Sequence, residues 1–248
     1  RHRIMKAIIL AAGVSRRLYP LTYDTPKCLL EVGGRPIIDF QMEALKKAGI
    51  SEAVIVVGYL RKKLIDHIQK EYPDFNCTFI TNEHFFETNT SYSLYLCRNE
   101  FRNSESILMN ADVLYPEELL ERLMASPHEN VMAVDVKECG REEVKVIAGS
   151  GDKLVAIGKE LIQENSLGEF IGVARFSPEF GERLASSLEH LIDSGGKADY
   201  FEAAINPLLT EMEVHYIDIS VLPCIEIDFV EDLEEAQKLA KSDWFTNQ

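Results

Sequence analysis

Four short apolar segments, separated by stretches of helical periodicity, constrain the fold of this chain more than any other feature of its sequence. Met5–Ala12 (MKAIILAA) and Ser51–Gly58 (SEAVIVVG) are largely continuous apolar runs bounded by glycine, so both read as strands covered on two faces. Cys77–Thr81 and Ser106–Ala111 (SILMNA) read as a third and a fourth strand, the last ending at Asp112. Between them, Pro36–Ala48 sets Ile37, Ile38, Met42 and Leu45 on one side of a helix, and Leu60–Tyr72 is a charged amphipathic helix. Ser91–Asn99 reads as a helix with Leu94 and Leu96 inward, and Pro116–Met124 as a helix with proline in its first turn. This order predicts an α/β fold: an open, mostly parallel sheet with right-handed crossovers. Ligands of such sheets bind beyond the carboxyl ends of the strands. Gly13–Pro20 follows the first strand and Asp112 ends the fourth, which assigns both to one rim.

After residue 130 the texture changes. Val131–Val136, Val144–Ala148, Leu154–Ile157 and Phe170–Phe176 are short β-like runs, with a turn at Gly149-Ser150-Gly151-Asp152. Helices are predicted at Pro178–Ile192 and Tyr200–Leu209, strands at Val214–Ile219 and Cys224–Ile227, and a closing helix at Glu231–Lys241. No repeat or Pro/Ser-rich linker interrupts the chain, so residues 1–248 read as one continuous fold with an N-terminal half of about 5–130 and a β-rich C-terminal half of about 131–248.

The composition excludes several classes. A net charge of -15 and a pI near 4.9 oppose binding to nucleic acid or to anionic membrane, so an anionic ligand must be met by a local group of cations, backbone N–H groups and metal. The cysteines Cys28, Cys77, Cys97, Cys139 and Cys224 are odd in number, widely spaced and without a CxxC pair. That argues against a disulfide framework or zinc site and suits a reducing, cytoplasmic compartment. No apolar run approaches the ~20 residues of a membrane span, and the N-terminal stretch lacks the form of a signal peptide. Met5 is a candidate start, with Arg1–Ile4 an extension.

The segment Leu10–Leu21 (LAAGVSRRLYPL) runs from buried strand into a glycine turn, then two arginines, then towards Lys27. A loop in that position aims N–H groups at phosphate oxygens; Arg17 suits β/γ-phosphates through its forked donors, and Lys27 places a compact charge near an α-phosphate. The same pattern also suits a solvated basic loop. It is neither GxxxxGK[ST] nor GxGxxG, which weighs against a Walker loop or a dinucleotide fold.

Asp112 and Asp228 each follow an apolar or alternating run that ends in a helix start. Two hard carboxylates at one rim suit Mg²⁺ with a triphosphate as co-ligand, and each equally suits a helix cap, before the Pro116 helix and the Glu231 helix respectively. Glu226 shares the strand face of Asp228.

The combination KAIILAAG, RLYPLT and TPKCLLEVGGRPII over residues 5–39 resembles the nucleotidyltransferase family that includes sugar-1-phosphate nucleotidyltransferases and bacterial CTP:phosphocholine cytidylyltransferase. VGY, the strand end at Asp112 and IEIDFVEDLEEA extend the similarity along the chain. The resemblance implies a Rossmann-like mixed, mostly parallel sheet flanked by helices, with a small β-rich substrate-binding portion. It implies catalytic roles for Arg17 and Lys27, Mg²⁺ at Asp112 and Asp228, and a nucleotide lined by Leu10, Ala11, Ala12, Gly13, Val14, Ser15, Arg16 and Ala111. The family has a second glycine, then Ser or Thr, before the arginine; Ser15 and Arg16 stand there instead, and a serine enters positive φ less freely. Asn110 departs from the acidic or glycine residue often found before the aspartate.

Asn82 and the run Asn89–Leu94 (NTSYSL) resemble the Asn-x-x-Ser-Leu stretch of cytidylyltransferases, which implies that Asn82, Thr90, Ser91 and Ser93 meet base and ribose; Thr90 or Ser91 also suits a helix N-cap. In the C-terminal half, Lys145 and Lys159 suit a substrate phosphate or phosphonate, and Glu169 and Glu202 a hydroxyl-rich or cationic group, with Gly172 in the same GEFIG segment. Tyr200, Phe201 and Tyr92 suit a stack on a cation or simple core packing. The expected partners are CTP, or another NTP, and a small phosphorylated or phosphonate substrate such as phosphocholine or 2-aminoethylphosphonate, in a monomer or homodimer. The alternatives are a sugar-1-phosphate nucleotidyltransferase using UTP, GTP or dTTP, and a catalytically silent nucleotide-sugar-binding homologue.

Overall fold

The computed structural model describes residues 5–246, so the Arg1–Ile4 extension lies outside the described residues. The strands are β1 Lys6–Ala11, β2 Glu31–Val32, β3 Arg35–Pro36, β4 Glu52–Val57, β5 Asn76–Thr81, β6 Ser106–Asn110, β7 Val113–Leu114, β8 Val131–Val136, β9 Lys145–Ala148, β10 Leu154–Gly158, β11 Gly168–Phe176, β12 His215–Asp218 and β13 Ile225–Glu226. The helices are α1 Ile37–Lys47, α2 Arg61–Glu71, α3 Thr90–Leu96, α4 Arg98–Phe101, α5 Glu117–Ala125, α6 Pro178–Asp193, α7 Glu202–Ile205, α8 Val230–Leu239 and α9 Asp243–Thr246.

One sheet of nine strands carries both halves, in the order β10-β9-β11-β6-β1-β4-β5, with β8 also on β11 and β12 on β8. β1 lies at its centre, parallel to β4 and β6. Period-2 alternation sends Ala7 and Ile9 to one face, where α1 and α5 contribute Ile38, Met42, Leu119 and Leu123. Ile8 and Leu10 face the other side, against Leu94 of α3 and Leu184 and Leu188 of α6. This double cover explains why β1 and β4 read as unbroken apolar runs. Beyond β6 the sheet becomes mixed. β11 runs antiparallel to β6 and β8 antiparallel to β11, so β8 is again parallel to β6. The carboxyl ends of β1, β6 and β8 and the start of β11 therefore share one rim.

Two predicted helices are broken. The segment expected to be helical over Ser91–Asn99 divides at Cys97 into α3 and α4, and Leu96 is only partly buried. The segment expected over Tyr200–Leu209 shortens to α7 and then tightens into a 3-10 turn at Asn206–Thr210, where Pro207 has no N–H to continue an α-helix. The strand expected at Cys224–Ile227 is present as β13, shortened to two residues, whereas the two-residue strands β2, β3 and β7 carry no sequence signal of their own. No described helix is long and apolar enough to cross a membrane.

Candidate active site

The loop after β1 forms the first wall of a large cavity of about 790 Å³ at the rim. Leu10, Ala11, Ala12, Gly13, Val14, Ser15, Arg16 and Arg17 all line it. Ser15 stands at φ 60 and ψ 54, so it takes the left-handed conformation that the resembling family assigns to glycine. Its carbonyl accepts from Thr22 Oγ1 at 2.9 Å and from Leu18 N at 3.2 Å, and Leu18 is fully buried. These contacts hold the loop while leaving both arginines exposed at the cavity mouth. Arg16 lies over the Phe86 ring at 5.3 Å and Arg17 over Phe229 at 4.8 Å.

Lys27 opens a 3-10 turn anchored by buried Cys28. Its Nζ donates to Asp112 Oδ2 at 2.8 Å, to Ile227 O at 2.7 Å and to Asp228 Oδ1 at 3.2 Å. Two-residue antiparallel pairing of β7 with β13 sets Val113 opposite Glu226, and the amide of Ile227 donates to Asp112 O at 3.0 Å. That short ribbon is what brings the two aspartates together across the chain. Gln41 of α1, fully buried, donates its Nε2 to Asn110 O and Val113 O at 2.9 Å each, pinning the backbone on both sides of Ala111 and Asp112.

Neither aspartate caps a helix. Asp232 accepts from the backbone amides of Asp228 and Phe229 at 3.0 and 2.8 Å, and α5 begins after Pro116. Carboxylate oxygens of Asp112, Glu226 and Asp228 lie within 4.8 Å of one another. Asp112 Oδ1 is buried and has no hydrogen-bond partner among the described residues. A hard divalent cation fits this donor set. Burial opposes the charge on Lys27, but the neighbouring Asp112 and Asp228 outweigh it and raise the amine further. Burial pushes the Asp112 carboxyl up, and burial with the charge of Asp112 pushes Glu226 up well above the ordinary range.

Asn82, Thr90, Ser93 and Ala111 also line the cavity, but the polar atoms of Asn82 are already engaged. Its Nδ2 donates to Thr88 Oγ1 and Ser93 Oγ at 3.1 Å each, and its Oδ1 accepts from His84 N at 2.9 Å. Asn82 thus shapes the loop that carries Thr88, which sequence reasoning passed over. Asn89, rather than Thr90 or Ser91, is the N-cap of α3, accepting from Thr90 N at 2.8 Å. Ser91 is fully buried, donates to Gly196 O at 2.7 Å, and is not among the lining residues.

Lys159, Glu169, Tyr200, Glu202 and Glu226, which the sequence offered for the substrate, also line the cavity, together with Asp135, Lys137 and Glu143, which it did not offer. Lys137 follows the carboxyl end of β8 at the shared rim, a signal of the same kind as the one that marked Asp112. Its Nζ lies 3.3 Å from Glu169, 3.7 Å from Glu143 and 3.8 Å from Asp135. Glu202 is 4 % exposed, its Oε2 has no hydrogen-bond partner among the described residues, and burial raises its carboxyl to about 7.

Lys145 departs from expectation. It is 1 % exposed, and its Nζ donates to the carbonyls of Gly140, Arg141 and Glu143 at 3.2, 3.4 and 3.0 Å, so its charge holds the 137–143 loop and does not face the cavity. Gly172 lies behind the cavity wall at an irregularity of β11; its φ is +86 and a Cβ there would meet Asn110 Nδ2 at 2.6 Å. Phe201 is fully buried against Phe170, and Tyr92 stacks on Tyr95.

Comparison with known proteins shows the family of this fold. The family model described as MobA-like NTP transferase domain matches residues 7–204. The choline-phosphate cytidylyltransferase of Streptococcus pneumoniae is 30% identical over 242 residues, covering 96% of this chain and 100% of that protein. The CTP:phosphoglutamine cytidylyltransferase of Campylobacter jejuni is 29% identical over 253 residues, covering 93% of this chain and 98% of that one. The solved structure of CTP:phosphocholine cytidylyltransferase from Streptococcus pneumoniae superimposes with a TM-score of 0.79 at 28% identity, covering 96% of this chain and 99% of that chain. The chain belongs to the MobA-like NTP transferase domain family and is a nucleotidyltransferase.

Proposed function

We propose that this nucleotidyltransferase is a Mg²⁺-dependent cytidylyltransferase that moves CMP from CTP to a small phospho- or phosphono-substrate and releases pyrophosphate. The observation that carries this reading is the meeting of Lys27, Asp112 and Asp228 in the cavity lined by the Leu10–Arg17 loop. The likeness to two cytidylyltransferases along almost the whole chain supports the choice of CTP.

The acceptor's phosphate or phosphonate oxygen is ionised near neutral pH, so attack at the α-phosphorus needs no strong general base. Catalysis then consists of positioning and charge neutralisation. Backbone N–H groups of the Gly13–Ser15 turn and the forked donors of Arg17 bind the β- and γ-phosphates. Lys27 holds its proton and offers it as a hydrogen bond to the α-phosphate oxygens, where negative charge grows as the nucleophile arrives. Asp112 and Asp228, with Glu226 beside them, would hold Mg²⁺, which when bound supplies neutralisation of the triphosphate charge. Of the other lining residues, Thr88, Thr90 and Ser93 would serve the nucleotide, and Glu169, Tyr200 and Glu202 the acceptor.

The experiment is a pyrophosphate-release assay over CTP, UTP, GTP and dTTP against phosphocholine, 2-aminoethylphosphonate and sugar 1-phosphates, with Mg²⁺ present and absent. CTP with an amine-bearing acceptor should be turned over fastest, and only with the metal. Faster turnover of UTP, GTP or dTTP with a sugar 1-phosphate would replace this reading with that of a sugar nucleotidyltransferase.

A further inference from the structure

The acceptor end of the cavity, as proposed above, is lined by Glu169, Tyr200 and Glu202. Among the described residues lining the cavity, three aromatic side chains are substantially exposed: Phe86 at 58%, Phe229 at 42% and Tyr200 at 40%. Each already carries one of the chain's own cations. Arg16 lies over Phe86, Arg17 over Phe229, and Lys159 over Tyr200 with its Nζ 4.3 Å from the ring centroid. The Tyr200 hydroxyl also accepts from Lys159 Nζ at 3.0 Å. Phe170, the other ring at that end, is 2 % exposed. A quaternary ammonium is recognised through open aromatic faces because it has no N–H to donate. Among the described residues at this end, Phe170 is buried and the one exposed ring, Tyr200, already carries Lys159.

What this end does offer is hydrogen-bond acceptors and negative charge. Glu202 is almost wholly buried, lines the cavity, and leaves Oε2 without a hydrogen-bond partner among the described residues. A buried acceptor in that state is costly until a ligand supplies a donor. Across the cavity Lys137 is shared by Asp135, Glu143 and Glu169, so that group keeps an excess of negative charge. Negative charge favours a cation over a neutral sugar, and the unmade hydrogen bond requires that the cation carry N–H.

We propose that the acceptor is a phosphate or phosphonate bearing a primary ammonium, which donates to Glu202, and that Lys159 seated on the Tyr200 ring excludes the fully N-methylated analogue. This rests on the reading of the cavity as the site of nucleotidyl transfer and narrows the substrate class within it. The bond that forms is still between the acceptor's phosphorus-bound oxygen and the α-phosphorus, with pyrophosphate leaving; the amine takes no covalent part.

The test uses the full chain with Mg²⁺ and each of the four NTPs, against phosphoethanolamine, its mono- and dimethyl derivatives, phosphocholine, 2-aminoethylphosphonate and glucose 1-phosphate. The expected result is a fall in kcat/KM of at least about tenfold from the primary to the quaternary amine with whichever NTP is used best. Phosphocholine or glucose 1-phosphate used as well as the primary amines would overturn the proposal. The NTP comparison judges the choice of CTP separately: the amine order can hold with another base, and CTP can hold with a reversed amine order. If no acceptor turns over, calorimetric titration of phosphoethanolamine and phosphocholine into the CTP-loaded protein decides, and equal or absent binding overturns the proposal. Glu202→Gln should raise KM for phosphoethanolamine by roughly tenfold without moving that for CTP; a shift in the CTP value instead would assign Glu202 to the nucleotide. Lys159→Ala should free the Tyr200 face and shift the phosphocholine to phosphoethanolamine ratio by about tenfold towards phosphocholine; an unchanged ratio would show that Lys159 excludes nothing.

Discussion

The Nζ of Lys27 stands 2.8 Å from Asp112 Oδ2, and this one ion pair joins the first loop of the fold to the end of its fourth main strand. The ammonium also contacts Asp228 at 3.2 Å, so one cation balances two carboxylates that a divalent metal would share. Replacing Lys27 with Ala is expected to lower turnover by about 10²–10³-fold, the usual cost of losing one donor aimed at developing charge. The same change leaves the acidic cluster repelling itself, so Mg²⁺ should raise the Tm of the variant more than that of the parent protein. Pyrophosphate release at a near-normal rate would remove Lys27 from the mechanism.

Asp228 is the more exposed of the two aspartates, and among the described residues its carboxylate is paired only with Lys27. Asp228→Asn should therefore fold normally and need roughly tenfold more Mg²⁺ for half-maximal rate, because an amide oxygen is a weaker ligand for a hard cation than a carboxylate. A metal titration that overlays the parent curve would count against this metal site.

The pairing of these residues shows where the sequence could be read and where it could not. β1 and β4 were legible because both faces are covered and every side chain must be apolar; Ile8 and Ile9 enter opposite clusters. The rim rule then led to the Gly13–Pro20 loop, which carries Arg17, and to Asp112; Lys27 came from the basic loop pattern and the family resemblance. The convergence of Asp228 was not legible in the same way. It depends on the pairing of β13 with β7: the alternating run before Asp228 could be read as a strand, but β7 is too short to carry a period, and sequence alone left both aspartates open to a capping role. Lys145 misled for a related reason. Its position beside a short strand resembled that of a ligand-binding lysine, while its partners are carbonyls of its own loop, set by a loop path that no local pattern encodes. Glu202 was found, but its missing partner could be seen only once Phe201 was buried beside it.

Gln41 extends the argument to a residue that touches no ligand. Its side-chain amide holds the carbonyls of Asn110 and Val113, so Gln41→Leu would strand two buried acceptors on either side of the metal-binding segment. A loss of about 2–4 kcal/mol is expected from two such groups, seen as a lower urea midpoint. The positioning role predicts more than instability, namely a higher Mg²⁺ requirement at a temperature where the variant is fully folded. If stability falls while the metal requirement stays put, Gln41 is structural only.

Ser15 holds a left-handed backbone at φ 60 where a Cβ is disfavoured. Ser15→Gly removes strain of about 1–2 kcal/mol and costs about 0.5–1 kcal/mol in unfolded-chain entropy, leaving a small net gain. The expected outcome is a Tm higher by about 1–3 °C with CTP affinity retained. A lower Tm would mean that the serine side chain contributes a contact that outweighs the strain.

Glu202 gives the fold a pH dependence of predictable sign. Burial raises its carboxyl from the ordinary 4.5 to about 7, with a backbone hydrogen bond and the charge of Lys159 acting in the opposite direction. A carboxyl that holds its proton more tightly when folded adds stability that is fully present below its unfolded pKa and is lost as pH rises through the folded one. Between about pH 5 and about pH 8 this group alone should remove roughly 2–3 kcal/mol from the unliganded protein. Glu202→Gln carries the neutral form at every pH, so the slope assigned to this residue should vanish in the variant while the contributions of Glu169 and Glu226 remain. Urea denaturation of both proteins across that range measures the difference directly, and parallel curves for the two would mean that Glu202 is ionised in the folded state throughout. Addition of a primary-amine phosphate should flatten the parent curve as well, since a bound ammonium stabilises the carboxylate form that burial penalises.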